Sequence, residues 1–401
     1  MTEQALSDIR ILDLTRYISG PYCTKLFADF GADVVKIEKP GEGDPARRMG
    51  PFFQDDPDPE KSGLFLHLNT NKRSVTLNLK SQAGKRILKE LAKDVDILVE
   101  NFSPRVMPAL GLDYETLESI NPRLVMASIS NFGQTGPYRD FKASELIIYG
   151  MGGAMCTTGL GDCEPVKKGL NVIQYQGGNM AAAATMTALF GARMHGAGQH
   201  VDVSLMETQM GSIDRRMSEL LAYEYNKELT PRMDIAGLLQ YPYGIFPCKD
   251  GYVDVAGGFM FLDRLEKALG MSLMETYGGA NQFDVARREE FFSNIWYPWV
   301  LERTRREVVD LCQEHHVMSA PINTTEDLLN EPQFKERGFW VDADHPVVGN
   351  LTYPGRPAQS SELPWEIRRP APLLGEHNEE VYAQLGYSAD DLVKLREGGA
   401  I

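Results

Sequence analysis

No stretch of this chain stays apolar for the length a bilayer requires. The opening residues, MTEQALSDIRILDL, lack the basic segment and apolar run of an export signal. A cytoplasmic protein without a membrane partner is expected. Positive charge is also scarce, with 41 Lys and Arg against 56 Asp and Glu and a net charge of −15. That sign repels phosphate backbones and anionic lipid heads, which argues against nucleic acid as a partner. An anionic small ligand would need a local basic pocket. The cysteines, Cys23, Cys156, Cys163, Cys248 and Cys312, are scattered, odd in number and free of CxxC spacing, so reduced thiols are expected. The histidines are dispersed, the pair His315-His316 has no partner spacing, and HExxH is missing, so no metal is expected. Also lacking are GxxxxGK[ST], a GxGxxG after the first strand, and GxSxG. Nucleotide hydrolysis, NAD binding and serine hydrolysis lose their usual signatures.

What is present is an alternation of short β-branched runs with helical segments. Ile9 to Leu14 reads as a strand, Cys23 to Phe30 as a helix and Val34 to Glu38 as a second strand. Further strands are expected at Ser74 to Leu79, Asp96 to Glu100, Leu124 to Ile129 and Val201 to Leu205, with a helix from Gly84 to Ala92. This βαβ pattern predicts a parallel, doubly wound α/β domain. Gly178 to Arg193, rich in alanine, predicts a helix that packs at close range and suits a dimer seam. Beyond Pro231 the segments Tyr241 to Phe246 and Gly251 to Val255 read as an antiparallel hairpin. At 401 residues the chain exceeds the roughly 250–300 at which one core stops growing. The expected division is a large α/β domain from residues 1–224 and 326–401, and a small α+β domain from 225–325. The proline-rich tail, with Pro354, Pro357, Pro364, Pro370 and Pro372, is expected to strap across the surface.

Basic residues fall at strand ends and turns: Lys39, Lys72-Arg73, Lys80 and Lys142. At the carboxyl edge of a parallel sheet they could hold the phosphates of an anionic cofactor, although solvated lysines occur on any protein surface. Tyr17, Ile18, Met155 and Phe259 suggest an apolar or aromatic pocket, and each could equally be ordinary core.

Six stretches, in order, resemble the class III CoA-transferases, the formyl-CoA and carnitine type, a family that also contains alpha-methylacyl-CoA racemase. They are LDLTRYISGPYCTKLFADFGADVVKIEKPGEGD, NTNKRSVTLNLKSQAGK, DVDILVENFSPRVMPALGL, NPRLVMASISNFGQTGPY, GARMHGAGQHVDVSLMET and APLLGEHNEEVYAQLGYS. The resemblance implies a Rossmann-like large domain built from both chain ends, a small middle domain, and two subunits interlocked as a dimer. It implies coenzyme A, carried as acyl-CoA substrate, with contacts at Lys39, Leu77, Lys80, Asn101, Phe102 and Lys142. Where the family has an arginine eight residues after the asparagine, this chain has Ala109, and Arg105 stands nearby as a substitute.

A larger departure lies at the nucleophile. The family's aspartate, which attacks the thioester and carries the acyl group as an anhydride, corresponds to Gln174. An amide cannot form that anhydride, and Asp162, upstream in a turn-like segment, is too far away. The racemase acid–base pair would fall on Ser144 and Gln174, which excludes that chemistry. Glu145 matches a glutamate beside the family's active site, or else simply starts a helix. Ala256-Gly257-Gly258 matches a glycine loop that could offer backbone N–H groups to an intermediate. Three readings remain. The chain is the subunit without the nucleophile in a heteromeric transferase, such as the succinyl-CoA:benzylsuccinate enzyme, with a homologous sister chain as partner. Alternatively it is a homomeric acyl-CoA isomerase or related enzyme, or a non-catalytic acyl-CoA-binding protein.

Overall fold

The structure, a computed structural model, describes residues 4–211, 216–229, 232, 241–258 and 261–401. Two compact units emerge: Met1–Met155, Lys167–Glu228 and Glu336–Ile401 form the larger, Cys156–Val166 and Leu229–Lys335 the smaller. Residues 156–166, which the expected division leaves with the larger domain, belong to the smaller unit. The cause is Arg232, whose guanidinium donates to the carbonyls of Leu160, Cys156 and Cys163.

The larger unit is α/β. Its strands are β1 (Arg10–Asp13), β2 (Asp33–Glu38), β3 (Lys72–Thr76), β4 (Ile97–Glu100), β5 (Val125–Ser130) and β6 (Gln199–Ser204). They form one parallel six-stranded sheet in the order β3-β2-β1-β4-β5-β6. Helices cover both faces, so β4 and β5 are buried along their whole length and read as near-continuous apolar runs. Two hydrophobic clusters flank the sheet, one around Ile11, Val34, Val99 and Ile129, the other around Leu12, Val75, Leu98 and Met126. The helix Val172–His195 packs beside Ser19–Asp29 so closely that a Cβ on Gly178 would lie 2.7 Å from the Ser19 carbonyl oxygen. Only glycine permits that approach.

The outer edge of β3 is sealed by the tail. Ser74 N–H donates to His377 Nδ1 at 3.2 Å, Thr76 N–H to Asn378 Oδ1 at 2.8 Å, and Asn71 N–H to the Arg369 carbonyl at 3.1 Å. The tail also carries elements that the sequence reading leaves out: the hairpin of β10 (Trp340–His345) and β11 (Gly349–Pro354), and the helices Asn378–Gln384 and Ala389–Glu397.

In the smaller unit β7 (Tyr243–Cys248), β8 (Gly251–Ala256) and β9 (Met318–Pro321) form an antiparallel sheet. Its core gathers Tyr241, Phe291, Trp296 and Trp299. The glycine loop differs from expectation, because the N–H groups of Gly257 and Gly258 already donate to the carbonyls of Pro242 and Tyr241 at 2.8 and 2.9 Å. They are committed to the fold rather than offered to a ligand. Phe259 lies outside the described residues.

Candidate active site

In a sheet of this order, the crevice for a ligand opens where the strand order reverses, outside the carboxyl ends of β1 and β4. The Asn101 amide, directly after β4, bridges that crevice. Its Oδ1 accepts from Arg16 N–H at 2.8 Å, and its Nδ2 donates to the Arg16 carbonyl at 2.7 Å. Above this pair the Arg16 guanidinium carbon lies 4.8 Å from the centre of the Phe102 ring. The next residue, Tyr17, takes a φ of 66°, held there by its N–H donating to Asp44 Oδ1 at 3.0 Å. A bulky residue with positive φ is strained, and such strain persists only where surrounding contacts impose it.

Those contacts are buried charges beneath the crevice. Glu38 takes Arg47 through both oxygens at 2.8 Å and also accepts from Asp44 N–H at 2.8 Å and Ser74 Oγ at 2.7 Å. Lys36 pairs with Asp44 at 2.9 Å and donates to the Thr15 carbonyl at 2.9 Å. Lys72 pairs with Asp13 at 3.0 Å and donates to Asn69 Oδ1 and the Pro21 carbonyl. Burial pushes the Asp13 carboxyl up, but Lys36, Lys72 and the Thr15 and Thr24 hydroxyls outweigh it and bring its pKa to about 2. The same burial depresses Lys72 to about 8, against the pull of Asp13. Lys72 and Arg73 are therefore not free cations at a strand end. Both are buried within β3, with Arg73 clamped by Asp33 and Glu380.

Two cavities meet here. The first, about 340 Å³, is lined by Lys39, Leu77, Lys80 and Phe102, by the further cations Arg16 and Arg48, by the carboxylates Glu38, Glu42 and Asp44, and by apolar residues that include Leu14, Ile37 and Leu79. The second, about 780 Å³, is lined by Asn101, Phe102, Arg105, Lys142, Glu145 and Gln174, together with Tyr17, Ile18 and Ser144. Phe102 and Val106 belong to both. Arg105 holds Asp140 through two bonds of 2.8 and 2.6 Å. Ala109 is exposed on the helix Val106–Leu110. Met155 packs against the core around the sheet instead of lining either cavity.

Gln174 is not ahead of the alanine-rich helix, as its sequence suggests, but inside the first turn, because that helix begins at Val172. The Asn171 side chain makes no capping bond, and Glu145 Oε1 instead accepts from Ile173 N–H at 2.8 Å. The second Glu145 oxygen and the Ser130 hydroxyl are buried at the wall of the larger cavity, without a hydrogen-bond partner among the described residues. Glu100, which ends β4, accepts from Phe102 N–H at 2.7 Å. Burial raises its carboxyl to about 7, against bonds from Ser128 and the Phe102 backbone, and Asp202 adds to the rise. Arg16, Arg48, Ser130 and Glu100 escaped the sequence reading. Glu100 and Ser130 end strands, which is the signal they give, whereas Arg16 and Arg48 lie in the connections beyond β1 and β2.

Among the described residues no cluster of His, Cys, Asp and Glu suits a metal ion, and no helix is long and apolar enough to cross a membrane.

Residues 6–378 match CoA-transferase family III, and the chain belongs to that family. It is 34% identical to the succinate–glutarate CoA-transferase of Agrobacterium fabrum over 388 residues, covering 95% of each chain. A formyl-CoA:oxalate CoA-transferase of Rhodopseudomonas palustris is 33% identical, with 99% of this chain and 97% of that one covered. The BbsE subunit of succinyl-CoA:(R)-benzylsuccinate CoA-transferase from Thauera aromatica is 32% identical, with 99% and 98% covered. Among solved structures, a CAIB/BAIF family protein from Brucella suis superposes with a TM-score of 0.83 at 29% identity, over 96% of this chain and all of that one.

Proposed function

We propose that this chain is an acyl-CoA-binding subunit of a CoA-transferase and works beside a homologous chain that carries the nucleophilic carboxylate. Gln174 carries the reading. It lines the larger cavity with Lys142 and Glu145, where an aspartate would attack a thioester, and its amide cannot form the acyl anhydride. The relative from Thauera aromatica supports it, since its name describes one subunit of a transferase.

In this reading the larger unit binds CoA, since both cavities are lined by its residues alone. Lys39, Leu77 and Lys80 hold the nucleotide half of CoA in the smaller cavity, and Asn101 and Phe102 guide the pantetheine arm where the cavities meet. Lys142 and Arg105 face the acyl end. The interlocked dimer forms with the sister chain in the cytoplasm. Co-expression with a homologous chain that carries an aspartate at the position of Gln174 is the test: the two chains should co-purify, and transfer from succinyl-CoA should need both. Turnover by the lone chain, with an acyl or CoA adduct mapped onto it, would sink the partnered reading in favour of a self-sufficient homomer.

A further inference from the structure

The smaller cavity presents four cations, Arg16, Lys39, Arg48 and Lys80, on a chain whose net charge is −15. Two of them, Lys39 and Arg48, already bond within the protein. Lys39 pairs with Glu42, Arg48 donates to the Glu42 carbonyl oxygen, and the bond from Lys39 together with the charges of Arg48 and Lys80 holds the Glu42 carboxyl below its ordinary range. Arg16 is placed differently. Its backbone is pinned on both sides by Asn101, and its guanidinium stacks on Phe102 instead of pairing with a carboxylate among the described residues. Stacking leaves the guanidinium edge, with its fork of N–H donors, open to the cavity. That fork fits phosphate oxygens bidentately. Its side chain is exposed at the switch point of the sheet, where an anion enters.

We infer that Arg16 is the phosphate-recognising residue of this site, the contact that selects CoA over thioesters lacking the nucleotide. The inference rests on the proposed acyl-CoA binding and deepens it. In the occupied site the guanidinium bridges Phe102, which lines the path of the pantetheine arm, and a phosphate of the nucleotide half. The requirement is for phosphate, with the diphosphate and the ribose 3′-phosphate as its two possible sources.

Calorimetry on the full protein, alone and with its sister chain, with CoA, dephospho-CoA and pantetheine as probes, tests this. Arg16→Gln should weaken CoA about 10- to 100-fold, the range for a charge-assisted hydrogen bond, and leave pantetheine unchanged. Dephospho-CoA identifies the source: an equal loss points to the diphosphate, and no loss points to the 3′-phosphate. Arg16→Lys, which keeps the charge but not the fork, should lose several-fold for CoA alone, and reads the same comparison if Arg16→Gln does not fold. Equal affinity of wild type and both variants for CoA overturns the inference, as does an equal loss for CoA and pantetheine, which would mean that Arg16 merely shapes Phe102. Failure of the wild-type protein to bind any CoA would instead overturn the functional reading beneath it.

Discussion

The carboxylate of Glu145, first residue of one helix, caps another by accepting the N–H of Ile173 at 2.8 Å. It also brings negative charge to the positive end of the helix dipole, one residue from Gln174. Glu145→Ala should lower stability by about 1 kcal/mol, within the 0.5–2 range of lost caps. Glu145→Gln, which keeps an acceptor, should lose less. Urea unfolding monitored by circular dichroism reads both, and equal loss in the two variants would mean that charge, not the hydrogen bond, does the capping.

Gln174→Asp restores a carboxylate in the first turn of the helix Val172–His195. The variant should gain hydroxylamine-sensitive labelling by succinyl-CoA at residue 174, and measurable transfer where the wild-type lone chain shows none. Mass spectrometry of the trapped adduct checks it. Absence of any adduct in a folded, CoA-binding variant would show that residue 174 is not presented to the thioester.

Glu100 gives a pH signature. Its carboxyl, raised from 4.5 to about 7 in the fold, makes the native state hold a proton that the unfolded chain has released. Stability therefore falls as pH rises from about 4.5 to about 7, by about 3 kcal/mol in all. Glu100→Gln keeps an acceptor for Phe102 N–H and should flatten that fall. Thermal unfolding across about pH 5–8 would show parallel curves for the two proteins if Glu100 were not the group responsible.

Arg47 and Glu38 are both fully buried. Removing one leaves an uncompensated charge, so Arg47→Met should destabilise by about 3–5 kcal/mol. The double variant Glu38→Leu, Arg47→Met should recover much of it. A double-mutant cycle by chemical denaturation measures the coupling, and simple additivity would show that the pair acts independently.

The central strands were legible because helices bury both faces, which forces runs such as Ile97-Leu98-Val99. Lys72 and Arg73 were not, since their fate depends on Asp13 and Glu380, far away in sequence. The start of the helix at Val172 was hidden for a related reason: its cap lies 28 residues upstream. Likewise, nothing in Gly257-Gly258 announces that their N–H groups are spent on Tyr241 and Pro242. The residues chosen by family resemblance are more coherent in space than in sequence, gathering from Lys39 to Gln174 around two adjoining cavities. Arg16 stayed invisible because only the bridge from Asn101 reveals where its guanidinium stands.

Sealing β3 with the last stretch of the chain has a consequence for synthesis. Thr76 leaves the ribosome 302 residues before Asn378, the residue that satisfies its N–H. At roughly 5–20 residues per second, the nascent sheet carries an open edge for roughly 15–60 s. An unpaired edge of this kind is a template for any passing strand. Holding that edge apart from neighbouring nascent chains is thus a task for the translating cell, and a message cut short before codon 369 would leave the edge open for good.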